Sequence, residues 1–322
     1  MLLVLSATIR KKNNGYFLFT IFTFILVNLE TNHMCPITFP TDKFPVVLEY
    51  LPDIQQVAVC GADGDKNDKS CATLTADKIW EDMPSLANEV CPYTSNTRST
   101  YLDGYGWLVF GKQKFDRDPV GDFDICRYRD AQPTFQVRAP GGAEWSEVSI
   151  ASPFSTGNYP QRTCTLTLNS THVLMMGGYS DGLTRNEAWI LDVTDNTWTQ
   201  IASLPDYRQT PGCVVTESGD ILVVGGFNAR GQQTNTTFTY NLANDAWTQQ
   251  PDFPLKLGKN SLLMWKKRPI LLRFGNEEVW IMREDKTWET LPVTLGNRFH
   301  SLAVMVPNDV YKCGQFQTYI FY

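Results

Sequence analysis

Short continuous apolar runs, not long helical stripes, organise this chain. Five of them, Gln56–Cys60, Trp107–Phe110, His172–Met176, Ile221–Val224 and Pro269–Phe274, are each followed at once by glycine, at Gly61, Gly111, Gly177, Gly225 and Gly275. Runs of this length bounded by glycine predict strands covered on both faces. A tryptophan stands downstream of each, at positions Trp80, Trp145, Trp198, Trp247 and Trp288. Two copies align closely: His172-Val-Leu-Met-Met-Gly-Gly-Tyr179 with Trp198, and Ile221-Leu-Val-Val-Gly-Gly-Phe227 with Trp247, the tryptophans lying 49 residues apart. Seven residues before each of these two tryptophans comes Leu191-Asp192 or Tyr240-Asn241. The turns Thr194-Asp195-Asn196 and Ala243-Asn244-Asp245 follow, the chemistry that closes a hairpin. The other tryptophan intervals are 65, 53 and 41 residues, the longest with an insertion near Gly121–Gly142, so the unit is a repeat of about 50 residues.

This pattern resembles the kelch repeat over 45–307. The resemblance implies an all-β fold, a kelch-type β-propeller of radial four-stranded antiparallel blades, with five blades and a partial sixth. A blade cannot bury both faces alone. Its second strand is therefore apolar throughout, its glycines supply unusual backbone dihedrals, and its tryptophan packs blade on blade. The sixth unit opens at Arg298-Phe-His-Ser301, similar to the Arg-x-x-His-Ser start of kelch first strands, and only 25 residues remain from there. Either the N-terminal segment Cys35–Leu48 completes this blade or the chain stops short of it.

The N-terminus changes the picture. The apolar run Tyr16–Val27 follows the basic cluster Arg10, Lys11 and Lys12 and is 12 residues long, a signal-peptide length and too short for a spanning helix. The expected organisation is a signal peptide or signal anchor at 1–34 and the propeller at 35–322. Nothing between Asn28 and Met34 offers a small-x-small cleavage pattern, so a cleaved leader and an uncleaved anchor with a lumenal propeller both stand. All eight cysteines follow this segment, which suits an oxidising compartment. Sequons at Asn169 and Asn235 are expected to carry glycan. Together these features point to a secreted or surface-displayed protein, with membrane contact only if the leader is uncleaved.

Composition excludes some partners. With 43% hydrophobic and 19% charged residues the chain has the material for a core, and its net charge of −6 argues against nucleic acid. The three histidines, His33, His172 and His300, do not converge, so neither a zinc cluster nor the copper site of oxidase relatives is expected. No nucleophile elbow, zincin helix or phosphate loop is present, and Gly61–Asp68, which lacks the glutamate and spacing of a calcium loop, reads as a solvated turn, with a weak cation site as the alternative. No cofactor, metal or catalytic residue is assigned.

Threading the blades places Arg98, Arg162, Arg208, Lys259 and Arg298 at the openings of innermost strands, ringing the channel mouth as a seat for a carboxylate-bearing ligand. The loops Asp63–Lys69, Gln113–Asp122, Tyr179–Arg185 and Phe227–Thr234 share that face. The same threading pairs Cys60 with Cys71 across one loop and Cys164 with Cys213 on adjacent inner strands. It leaves Cys91 with Cys126 in the second blade and Cys35 with Cys313 as a terminal clasp. The function expected is a non-catalytic scaffold binding protein or glycan through the loops of one face. The alternative is a carbohydrate-active propeller enzyme, glycosidase or oxidase-like.

Overall fold

The structure is a computed structural model, which describes residues 1–10, 19–31, 33–38, 46–61, 69–88, 90, 97–112, 133–154, 159–273, 278–294 and 299–311. The described residues form strands and turns, with no helix. Along the chain, β1 (Leu2–Arg10), β2 (Phe19–Asn28) and β3 (His33–Thr38) come first. The first blade is β4 (Val47–Leu51), β5 (Gln56–Cys60), β6 (Cys71–Leu74) and β7 (Trp80–Met83). The second is β8 (Thr97–Leu102), β9 (Gly106–Lys112), β10 (Pro133–Arg138) and β11 (Trp145–Glu147). The third starts with β12 (Cys164–Thr167) and β13 (His172–Met176), passes through a small ribbon of β14 (Tyr179–Ser180) and β15 (Leu183–Thr184), and ends with β16 (Ala188–Asp192) and β17 (Thr197–Ile201). The fourth is β18 (Gly212–Val215), β19 (Ile221–Val224), β20 (Thr237–Asn241) and β21 (Ala246–Gln250). The fifth is β22 (Asn260–Trp265), β23 (Arg268–Arg273), β24 (Glu278–Met282) and β25 (Trp288–Thr294), and β26 (Phe299–Met305) follows.

Each of these five blades is a four-stranded antiparallel meander, and the fold is a β-propeller. A sixth sheet joins the two ends of the chain in the order β26-β1-β2-β3, with Leu2 opposite Met305 and Val4 opposite Ala303. The first strands β4, β8, β12, β18, β22 and β26 each lie against the next, closing a ring about the axis. Of the described residues in the segment 35–48 expected to complete the sixth blade, 35–38 lie in its outermost strand β3, and Val47 and Leu48 open the first blade. The stretch 1–34, given by the sequence as a leader, contributes β1, β2 and the start of β3 to that sheet. A cut after Met34 would remove two of its four strands.

The core is divided among the blade interfaces. Ile221, Leu222, Val223 and Val224 are all buried, as expected for a second strand covered on both faces, and each contributes about 1.5–3 kcal/mol. Between the third and fourth blades, Leu174 and Met176 meet Ile221, Val223 and Tyr240. The sixth sheet is held in the same way on both sides: Leu2 and Val27 pack with Ile270, Leu272 and Val279 of the fifth blade, and Cys35 and Ile37 pack with Leu48, Val57 and Val59 of the first. Tyr311 locks this second interface, its hydroxyl donating to Leu74 O at 2.6 Å and accepting from Val57 N at 2.9 Å.

The repeat's landmarks have mechanical roles. Gly178 and Gly226 have φ of 102° and 97°, and a β-carbon there would stand 2.6 and 2.8 Å from the carbonyl oxygens of Gln161 and Gln209. Only glycine allows that approach. Trp145 Nε1 donates to Pro84 O and Trp247 Nε1 to Ala202 O, both at 2.9 Å, so the fourth strands of the second and fourth blades are pinned to the connection leaving the preceding blade.

Candidate functional site

The starts of the first strands and the loops from second to third strands share one end of the propeller, where the basic ring was expected. Arg98, near the start of β8, reaches across to the third blade and donates to Thr163 O from Nε and Nη2 at 3.1 and 3.0 Å. Burial pushes its guanidinium down to about 10, with nearby Tyr159 opposing the shift. Arg162 is exposed, with Nη1 donating to Gln209 Oε1 at 2.9 Å and its guanidinium 5.6 Å above the Tyr179 ring. Lys259 is exposed as well. Its ammonium is held below the usual lysine range by desolvation first, and then by repulsion from Arg162 and Arg98. Cations from the second, third and fifth blades therefore feel one another at this mouth.

Arg208 does not belong to this group. It is 0% exposed, fixed by Asp206 at 2.6 and 2.8 Å, by donation to Gly225 O at 2.6 Å and by the Thr236 hydroxyl. Its guanidinium stacks 5.4 Å from the Phe238 ring, and its role is to tie the inter-blade connection to the fourth blade. The register explains the error. Gln161 bridges Tyr179, and Gln209 bridges Phe227, so the fourth-blade counterpart of Arg162 is Thr210, and both have left-handed backbones with φ of 59° and 51°. Arg298 lies outside the described residues, as do Cys91, Cys126, Cys313, the Gly61–Asp68 turn after Gly61, and most of the first two loops.

Both disulfides placed by threading are present: Cys60–Cys71 with α-carbons 4.1 Å apart and Cys164–Cys213 at 6.1 Å, the second joining neighbouring inner strands. Cys35 is also disulfide-bonded. The sequons differ. Asn169 is exposed in the β12–β13 turn, where its Oδ1 accepts from the backbone of Thr171 and His172, and its Nδ2 has no hydrogen bond to the described residues. Asn235 is half-buried and its Nδ2 donates to Phe253 O at 3.2 Å, while Phe253 N donates to Asn235 O at 2.8 Å. Asn186 makes the same pair with Leu204 one repeat earlier. The atom that would carry the glycan at Asn235 thus anchors a blade connection, which counts against the expectation at that sequon.

Two features had no signal in the sequence. Glu49 of β4 is partly buried at the first interface, accepts from Ser99 Oγ at 3.3 Å, and is pushed up to about 7 by desolvation against the pull of Ser99 and of the Tyr50 backbone. A cavity of about 170 Å3 opens beside the third blade, lined in part by Phe154, Met175, Ser180, Arg185, Glu187 and Trp189. Near it Leu183 and Tyr207 are 59% and 51% exposed, apolar surface on the same face as the cations. A larger cleft of about 500 Å3 lies at the opposite end between the fourth and fifth blades, where Lys267 pairs with Glu217 and Arg283 with Glu289. Those charges neutralise one another. Among the described residues no group of three or more His, Cys, Asp and Glu could hold a metal ion. No described helix is long and apolar enough to cross a membrane.

The fourth blade decides the comparison with known proteins. Residues 211–254 match the Kelch motif. That span runs from just before β18 to just past β21, one whole Kelch blade. The chain is also similar to the Kelch repeat protein M-T8 of Myxoma virus (strain Lausanne), 24% identical over 106 residues. That match covers 33% of this chain and 18% of the viral protein, so it spans less than a fifth of that relative's length.

Proposed function

We propose that this propeller is a non-catalytic binding scaffold that takes protein or glycan ligands through the loops of one face, and that an acidic group of a protein partner seats among Arg98, Arg162 and Lys259. The observation that carries this reading is the exposed guanidinium of Arg162, whose fork the fold leaves partly unfilled, near two further cations on a chain of net charge −6. Arg162 is met by an amide oxygen and a ring, so a carboxylate would gain charge-assisted hydrogen bonds that the fold does not already supply. Propellers with Kelch motifs generally serve as protein-binding scaffolds, which agrees with this assignment. The two disulfides support an oxidising compartment, and a secreted or surface-displayed protein is the corresponding proposal.

The test is fluorescence anisotropy with a labelled oligoglutamate peptide and an oligolysine control, at low and at physiological salt. Wild-type protein binds the acidic peptide only. Arg162→Ala combined with Lys259→Ala weakens binding roughly tenfold, about 1.4 kcal/mol, and leaves the melting temperature nearly unchanged. Equal binding by wild type and double variant sinks the proposal.

A further inference from the structure

The cavity beside the third blade has the chemistry of a different ligand. Its walls are aromatic: Phe154 and Trp189 stand edge to face with ring centroids 5.7 Å apart, and buried Met175 lies beneath. Its polar groups are planar and held in place. Arg185 Nε donates to Ser180 Oγ at 2.7 Å, Nη2 lies 3.5 Å from Asp181 and Nη1 3.8 Å from Glu187. A guanidinium has five N–H donors and a carboxylate about four lone-pair sites, so both retain capacity after these contacts. Ser180 is only 6% exposed, and its hydroxyl proton has no acceptor among the described residues. Donors and acceptors therefore face one small space with an aromatic wall.

Charge selects among ligands. Glu187 in the wall and Asp181 behind Arg185 disfavour an anion, and because both carboxylates already face the guanidinium of Arg185, a neutral ligand gains hydrogen bonds without separating these charges. A neutral ring bearing several hydroxyls satisfies all the polar groups and stacks its apolar C–H face on an indole. Size limits the ligand to one ring: a closed cavity of about 150 Å3 holds benzene, and this one, about 170 Å3 and open to solvent, takes a pyranose ring with part of its hydroxyls left outside.

We propose that this cavity is a binding site for a single neutral pyranose, presented as the terminal unit of a glycan. The proposal deepens the loop-face reading by naming a glycan class and does not depend on the cations at the channel mouth.

The experiment uses the full chain and a panel of methyl hexopyranosides (gluco, galacto and manno), read by saturation-transfer NMR and by titration of tryptophan fluorescence. At least one member binds in the millimolar range. Glu187→Gln, which keeps shape and removes charge, weakens it several-fold, Trp189→Ala abolishes it, and Trp189→Phe restores part of it. Arg162→Ala with Lys259→Ala leaves sugar binding intact, which separates this site from the acidic-ligand site. Absence of binding across the panel overturns the proposal. So does binding unchanged in both Glu187→Gln and Trp189→Ala, or displacement of the sugar only by a charged sugar such as a methyl uronate.

Discussion

Replacing Glu49 by glutamine should stabilise this protein above neutral pH and do little in acid. The side chain sits on the inner strand of the first blade with one neighbouring hydroxyl, and desolvation pushes its carboxyl from 4.5 up to about 7. Across that window the folded state holds a proton that the unfolded chain has released. Stability is therefore fully present below about 4.5, falls as pH rises toward 7, and is level above it. The gap between the two values is worth roughly 3 kcal/mol, which is the cost of ionising Glu49 in place. Glutamine accepts the Ser99 hydrogen bond and carries no charge, so it avoids that cost. For a chain of this size, roughly 3 kcal/mol corresponds to about 4 °C in melting temperature. Scanning calorimetry of wild type and Glu49→Gln from about pH 4.5 to about pH 8.5 should give two curves that coincide at the acid end and separate through neutrality. All other titrating groups are common to both proteins and cancel. A difference that does not change with pH, or a variant less stable than wild type at about pH 8, refutes the reasoning.

Arg208→Ala removes a buried guanidinium and orphans Gly225 O and the Thr236 hydroxyl, so it should cost about 2–4 kcal/mol in urea unfolding, whereas exposed Arg162→Ala should cost less than about 1. Deleting residues 1–34 takes Leu2, Val27 and Leu29 from the face of the fifth blade, and loss of cooperative melting is the expected result; a deletion protein as stable as the full chain would show that these residues are dispensable, as a leader would be. Expressed through a secretory route, the protein should carry glycan at Asn169 and none at Asn235, so Asn169→Gln should abolish the mass loss caused by amidase treatment while Asn235→Gln should instead lower stability by about 1 kcal/mol.

What the sequence disclosed and what it hid follow from the same physics. Fully covered second strands must be apolar at every position, and their exits must be glycine where the backbone is left-handed and a β-carbon would strike a neighbour, the Leu257 side chain at Gly225 and the Gln209 carbonyl at Gly226, so Ile221–Val224 with these glycines announced a blade without any help from long-range contacts. The disulfides were legible for a related reason: once the strands are threaded, Cys60 and Cys71 are cross-strand partners, and Cys164 and Cys213 lie on neighbouring inner strands. The sixth sheet was obscured because it joins β26 to β1 from the far end of the chain, a pairing that no local pattern announces, and because an apolar run of 12 residues suits a strand as well as a leader.

The candidate site was only partly legible, and Arg208 shows why. A repeat fixes how many strands approach the axis, but which side chain emerges there depends on register to the residue. Counting back from the glycines put Arg208 beside Arg162, whereas the bridges from Gln161 and Gln209 show Thr210 in that place. A shift of two residues keeps the face of a strand, yet at a strand entrance it separates an exposed cation from one sealed beneath a blade. Composition cannot reveal this difference, because an arginine suits both places: its fork grips a ligand at the surface or three acceptors in the interior. What distinguishes the two is whether the fold already fills the fork. Arg208 meets Asp206, Gly225 and Thr236, while Arg162 meets one amide and a ring, and that unfilled capacity makes Arg162 the residue on which the acidic-ligand proposal stands.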